Sequence, residues 1–278
     1  MQSYTEEFYE FVREGSKESA KEIIPIIFEF IQPKSVIDVG CGVGTWLSVF
    51  QAHGVEDVWG IDGDYIDKNV LEIPEEKFLT FDLKNPFKLS RQFDLVVSLE
   101  VGEHLPQECA ETFVESLTQL APVILFSAAI PFQGGTDHVN EQWQDYWVKH
   151  FQNKGYVAVD CIRNRVWENE RVEFWYAQNM LIFAKREYLE LEKAYLLKQQ
   201  FESTNTFQRS IVHPSKYLEV VEKCLAETKA AQWYAAEAEK YLAAAEPENM
   251  PLKKVISALP IVIINALKRK LFDKESFT

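Results

Sequence analysis

An apolar strand that ends in an acid and runs straight into a glycine loop constrains this chain more than any other stretch of it. The segment is Val36-Ile37-Asp38-Val39-Gly40-Cys41-Gly42-Val43-Gly44-Thr45-Trp46, and the apolar pattern that follows the glycines opens a helix. Strand, tight turn and helix in that order belong to a parallel α/β sheet whose first turn approaches a ligand. Glycine is needed in such a turn because a Cβ would block both the reversal and the close approach. A nicotinamide-type fingerprint would require a third glycine at position 45, where this chain has Thr45. The spacing is instead G-x-G-x-G, with Asp38 two residues upstream.

The rest of the first two thirds alternates short apolar runs with helical patterns. SVIDVG, DVWGID, KFLTFDL, FDLVVSLEV, PVILFSAAI, YVAVDCI and NMLIFAK read as strands; TWLSVFQAHG, CAETFVESLTQL and NEQWQDYWVKHFQNKG read as helices. The expected fold is α/β, a Rossmann-like doubly wound sheet of seven strands. Little room for a helix separates the last two strands, so they should pair antiparallel at the sheet edge. With 278 residues, 47% of them hydrophobic, the chain can fill one such domain and still carry an appendage. From Tyr188 onward the sequence turns helical and rich in Ala, Glu and Lys, with no strand candidate. The expected organisation is therefore an α/β domain over residues 1–187, of which 1–34 form an N-terminal helical cap, and a helical C-terminal extension over 188–278.

The glycine segment resembles motif I of class I S-adenosylmethionine-dependent methyltransferases, and residues 1–187 would then be the methyltransferase domain. Two acids at the next strand ends agree with this. Asp62, in Gly60-Ile61-Asp62-Gly63-Asp64, lies about 20 residues after the loop, where an acid hydrogen-bonds ribose hydroxyls. Asp82, in Phe81-Asp82-Leu83, stands where the resemblance puts a side chain beside the adenine amino group. Either acid alone would pass as a helix N-cap; the succession after consecutive strands carries the argument. The resemblance implies a cofactor site made of Asp38, Gly40, Cys41, Gly42, Gly44, Asp62, Gly63, Asp82 and Leu83, with Asp38 holding the amino-acid end of S-adenosylmethionine through the loop. It covers about residues 20 to 187. The stretch from Phe11 to Ala20 also resembles bacterial methyltransferases associated with glycan or natural-product pathways, where Arg13 and Ser16 would meet the cofactor carboxylate or the acceptor; the alternative is an ordinary surface helix start.

The acceptor should lie beyond the carboxyl ends of the fourth and fifth strands. There the chain reads Ser98-Leu99-Glu100-Val101-Gly102-Glu103-His104-Leu105-Pro106, an E-x-x-E-H cluster within about one helical turn. It resembles methyltransferases of the ubiquinone pathway and those that modify the 3′-terminal ribose of small RNAs. In the RNA group two Glu and two His bind a divalent ion, which maps here to Glu100, Glu103, His104 and, after the fifth strand, His138. Mixed carboxylate and imidazole ligands suit Mg²⁺ or Mn²⁺, and an ion holding a hydroxyl would favour O-methylation. Without a metal, Glu100 or His104 lines the pocket, and His104 or His138 is the expected general base in a catalytic set with Glu100. Trp167, Trp175 and Tyr176, between the last two strands, are candidates for stacking on the acceptor, although such aromatic side chains also build cores.

The formal net charge of −14 argues against a protein that grips long nucleic acid. Cys41, Cys109, Cys161 and Cys224 have no paired spacing, and the start MQSYTEEFYEF lacks the basic and apolar pattern of a signal peptide. The expected location is the cytoplasm. Residues 252–272 set a short apolar run between basic residues, the pattern of a segment at the inner, anionic membrane face. A helix docked on the catalytic domain or a homodimer contact through the C-terminal helices is the favoured alternative, because Pro260 interrupts the run. Three functions remain in view: a glycan or small-molecule O-methyltransferase, an RNA 2′-O-methyltransferase, and a cofactor-binding scaffold without catalysis.

Overall fold

The structure is a computed structural model that describes residues 6–244. The basic-flanked segment 252–272, with its membrane or dimer reading, lies outside the described residues. Contacts divide the chain into two compact units, residues 1–216 and 217–278. The described part of the second is the remainder of one long helix, α9 (Pro214–Ala244).

The first unit is a seven-stranded sheet with helices on both faces. Its strands are β1 (Ser35–Val39), β2 (Asp57–Asp62), β3 (Phe78–Thr80), β4 (Leu95–Leu99), β5 (Val123–Ser127), β6 (Tyr156–Val159) and β7 (Leu181–Lys185), in the spatial order β3-β2-β1-β4-β5-β7-β6. The α-helices of this unit are α1 (Glu6–Phe30), α2 (Thr45–Ala52), α3 (Ala110–Thr118), α4 (Gln144–Asn153), α5 (Arg163–Val166), α6 (Phe174–Asn179), α7 (Arg186–Leu189) and α8 (Tyr195–Ser203). The strands from β1 to β5 run parallel, and β4 and β5 are buried at every residue. That explains why they read as continuous apolar runs rather than alternating ones. Side chains alternate between two cores all the same. Val36, Leu95, Val97 and Leu125 meet residues of α1 and α2, whereas Ile37, Val96, Ile124 and Phe126 meet Phe113 and Leu117 of α3 and Trp147 and Phe151 of α4.

The last two strands do pair antiparallel, but β7 slots between β5 and β6, leaving β6 at the edge. The connection between them holds the short helices α5 and α6, and β7 returns in the opposite direction. α1 is a packed element of the sheet: Ala20, Ile23, Ile24 and Ile27 form a fully buried stripe against the core. Each of those isoleucines stabilises the fold by about 1.5–3 kcal/mol. The packed unit also continues past residue 187, because Ala194 and Leu197 are buried in the same core.

One buried charge ties this continuation to the sheet. The Arg163 side chain is 0% exposed; its guanidinium donates to Asp160 at 3.0 and 2.6 Å, to the Gln178 carbonyl at 3.1 Å and to the Arg209 carbonyl at 2.7 Å. Arg163→Met keeps the stem but strips these acceptors of their donor. It is expected to cost about 3–5 kcal/mol, read as a lower urea midpoint; an unchanged midpoint would mean the four bonds contribute nothing.

Candidate active site

Sheet order decides where the site is. β1 and β4 are neighbours, but the chain leaves β1 toward β2 on one side and leaves β4 toward β5 on the other, so a crevice opens beyond their carboxyl ends. The glycine loop leaves β1 on one side of that crevice, and Glu100 follows β4 on the other.

The loop is held by its backbone: the Gly40 and Cys41 N–H groups both donate to the Ile61 carbonyl, at 2.8 and 3.2 Å. Gly40 has φ +83°, and a Cβ there would stand 2.3 Å from a Val101 methyl, so the two sides of the crevice touch at this glycine. Cys41 is buried with its Sγ near the Gly42 carbonyl, and burial raises its pKa well above the ordinary thiol range. Asp38 lies beneath the loop. Burial pushes its carboxyl well above the usual carboxylate range, and the charge of Asp62 adds to this. Asp62 accepts from the Gly42 and Gly63 N–H groups, each at 2.7 Å, and from the Tyr65 hydroxyl. Sequence reasoning missed Tyr65, which is 79% exposed although its phenol sits on the cleft carboxylate. Its signal was a large aromatic residue three positions after the strand-end acid. Asp82 stands two residues past β3 and is exposed, with its carboxylate accepting from the Lys84 N–H at 3.1 Å and the Asn85 side chain at 3.2 Å. Leu83 is buried in the core beside it.

On the acceptor side Glu100 takes φ +54°, and its N–H donates to the Ser127 carbonyl and hydroxyl. Its carboxylate accepts from Gln133 Nε2 at 2.8 Å and from Asn179 Nδ2 at 3.2 and 3.3 Å. Gln133, Gln178 and Asn179 join into a buried amide network behind it, which no sequence pattern marked. Glu103 is 0% exposed, and neither of its carboxylate oxygens has a hydrogen-bond partner. Burial raises the pKa of both carboxyls, and Glu103 is pushed further by the nearby Glu100. His104 and His138 meet edge to face, ring centroids 4.8 Å apart, and burial followed by the neighbouring His138 lowers the pKa of His104.

Ligand atoms of Glu103, His104 and His138 lie within 4.8 Å of one another. Of the four residues expected to gather here, Glu100 is the one outside that triad, its carboxylate being turned to Gln133 and Asn179. The two halves of the triad are joined through the backbone, since the Val139 and Asn140 N–H groups donate to the Glu103 carbonyl at 2.8 and 3.0 Å.

The aromatic candidates divide. Trp167 lines a cleft of about 460 Å³ together with Glu168, Glu170, Phe174 and His213. Trp175 is half-buried and packs against the core. Tyr176 is 5% exposed, with its hydroxyl 3.0 Å from Ser16 Oγ and its ring edge-on to Trp46. That packing fastens α6 to α1 and α2. Arg13 reaches Glu72, which also accepts from Lys17, Thr45 and Ser48 and so pins α1 to the start of α2.

The family model described as Methyltransferase domain matches residues 11–165. Among solved structures, magnesium protoporphyrin IX methyltransferase of Synechocystis is 18% identical over 66% of this chain and 90% of its own, with TM-score 0.46. DesVI of Streptomyces venezuelae is 16% identical over 66% of this chain and 100% of its own, with TM-score 0.48. The methyltransferase domain of a bacterial CtHen1 is 20% identical over 60% of this chain and 98% of its own, with TM-score 0.44. No curated protein matches the chain.

Proposed function

The chain belongs to the methyltransferase domain family, and from that premise we propose that it transfers the methyl group of S-adenosylmethionine to a hydroxyl of a glycan or small-molecule acceptor. The observation that carries the reading is the placement of the Asp62 loop and the Glu103–His104–His138 cluster on opposite lips of one crevice. Asp62 accepts from the ribose hydroxyls, the glycine loop with Asp38 beneath it receives the amino-acid end, and Asp82 and Leu83 border the adenine. The transfer is an in-line displacement: an acceptor oxygen attacks the methyl carbon, and the carbon–sulfur bond breaks with its electron pair passing to sulfur, which leaves S-adenosylhomocysteine. The hydroxyl proton passes to His104 or His138. Burial favours the neutral, proton-accepting form of His104. Trp167 is the aromatic side chain assigned to stack on a ring of the acceptor.

The residues fit a divalent ion. Glu103 presents two buried oxygens without partners beside two imidazoles, a donor set suited to Mg²⁺ or Mn²⁺, and Glu103, His104 and His138 would hold the ion with Glu100 behind them. When bound, it would lower the pKa of a coordinated hydroxyl. The same cluster favours RNA 2′-O-methylation as a second reading, which the net charge of −14 opposes.

Incubation with methyl-labelled S-adenosylmethionine and a host extract, with and without chelator, tests this. Label is expected in saccharide or small-molecule material and should be lost with chelator. Label in RNA would transfer the assignment to the second reading. Cofactor binding with no label in any fraction would leave a scaffold role.

A further inference from the structure

The loop after β5 is organised around a carboxylate with no part in the reaction just described. Glu141 Oε2 accepts from the Phe132 N–H at 2.8 Å; its Oε1 accepts from the Gly134 N–H at 2.7 Å and lies 2.9 Å from His138 Nδ1. Both backbone groups can only donate, so they fix Glu141 as an acceptor at both oxygens. The atom facing Oε1 from the imidazole must then be a donor, which places the ring hydrogen of a neutral His138 on Nδ1 and the lone pair on Nε2. Gly135 packs against the other side of the ring, which fits there only because this residue has no side chain. A Cβ at that position would stand 2.3 Å from His138 Nε2. Phe132 and Asp137, with φ of +67° and +57°, show that the chain accepts left-handed backbone on both sides of this glycine to close the loop. The Val139 and Asn140 N–H bonds to Glu103 then seat the whole assembly against the acceptor-side acid.

We propose that Glu141 is the positioning residue of the site: it sets the tautomer and aim of His138, so that Nε2 is the atom that accepts a proton or ligates an ion. The proposal rests on the assignment of His138 to the acceptor side. It adds a residue that acts only through His138 and touches neither cofactor nor acceptor.

The tautomer can be observed without cofactor or acceptor. Ring ¹⁵N correlation spectra at about pH 8, above the ordinary histidine range, report which nitrogen carries the hydrogen. The chain has five histidines, so the resonances of His138 are assigned by their loss in His138→Gln. The wild type should show His138 as the Nδ1–H form. Glu141→Ala should shift it toward a mixture with the Nε2–H form. Glu141→Gln can turn its NH₂ to the Phe132 N–H and keep its carbonyl oxygen on Gly134 and His138, so it should retain more of the Nδ1–H form than Glu141→Ala. Turnover should fall about 10- to 100-fold in Glu141→Ala, as expected when the partner that orients an imidazole is removed, with S-adenosylhomocysteine affinity unchanged and Glu141→Gln and Glu141→Asp recovering part of the rate. An unchanged tautomer with full turnover in Glu141→Ala would overturn the proposal. Full turnover in a His138 variant would instead overturn the assignment of His138 to the acceptor side on which the proposal rests, whatever tautomer the wild type shows.

Discussion

Replacing Gly40 by alanine is expected to lower the stability of the protein by about 2–5 kcal/mol and to remove cofactor binding with it. Two costs add. An alanine held in left-handed backbone costs about 1–2 kcal/mol, and at Gly40 the φ is +83°. The new methyl would also meet Val101, with contacts of 2.3, 2.9 and 3.2 Å to its two methyls and its Cβ. Val101 is buried and β-branched, so its rotamers are restricted, and overpacking of this kind costs about 1–3 kcal/mol. Gly42, two residues on in the same loop, is the informative control. Its φ is +54°, but a Cβ there would find nothing within 4 Å, so Gly42→Ala should lose only the backbone term of about 1–2 kcal/mol. Its methyl would project where a ligand must approach, so S-adenosylhomocysteine affinity should fall while the fold survives. Denaturant unfolding and calorimetric titration of both variants separate the two roles of the loop. Equal midpoints for the pair would mean that Val101 does not press on Gly40.

That contrast also shows what the sequence could and could not disclose. The need for glycine at positions 40, 42 and 44 is local, written in the strand before them and the helix after them, and so are the strands that carry Asp38, Asp62 and Glu100. The partner of Gly40 is not local: Val101 lies 61 positions away and meets it only because β4 docks beside β1. The same holds for Glu141 on His138, where a spacing of three residues in an irregular loop follows no helical or strand rule, and for Gln178 and Asn179 behind Glu100. Tyr176 read as an acceptor platform because an aromatic residue between the last two strands suits either role; the hydroxyl on Ser16 and the edge contact with Trp46 show the packing that fastens α6 in place. Composition set the domain boundary at residue 187, after which the sequence turns helical and rich in Ala, Glu and Lys with no strand candidate. Two apolar positions, Ala194 and Leu197, together with the Arg163 bond to the Arg209 carbonyl, join residues past 187 to a packed unit that runs to residue 216.

The second large effect is expected at the imidazoles. His138→Ala and His104→Ala should each reduce turnover by about 10²–10⁴-fold, the range for a lost general base, while S-adenosylhomocysteine affinity changes little, because the cofactor acids belong to β1, β2 and the turn after β3 and the histidines follow β4 and β5. The rings lie 4.8 Å apart edge to face, and both approach Glu103, so the losses should not add. If the pair works as one unit, the double variant will be scarcely worse than the poorer single one. If one ring takes the proton and the other only packs beside it, one single variant will account for nearly the whole loss. Manganese affinity measured on the same proteins tells the two chemistries apart: an ion held by Glu103 and both imidazoles should bind more weakly in either variant, whereas a metal-free base leaves no such signature. Full turnover in both single variants would remove the histidines from the reaction and leave the buried carboxyls of Glu100 and Glu103, whose pKa values burial already raises, as the groups placed to take the proton.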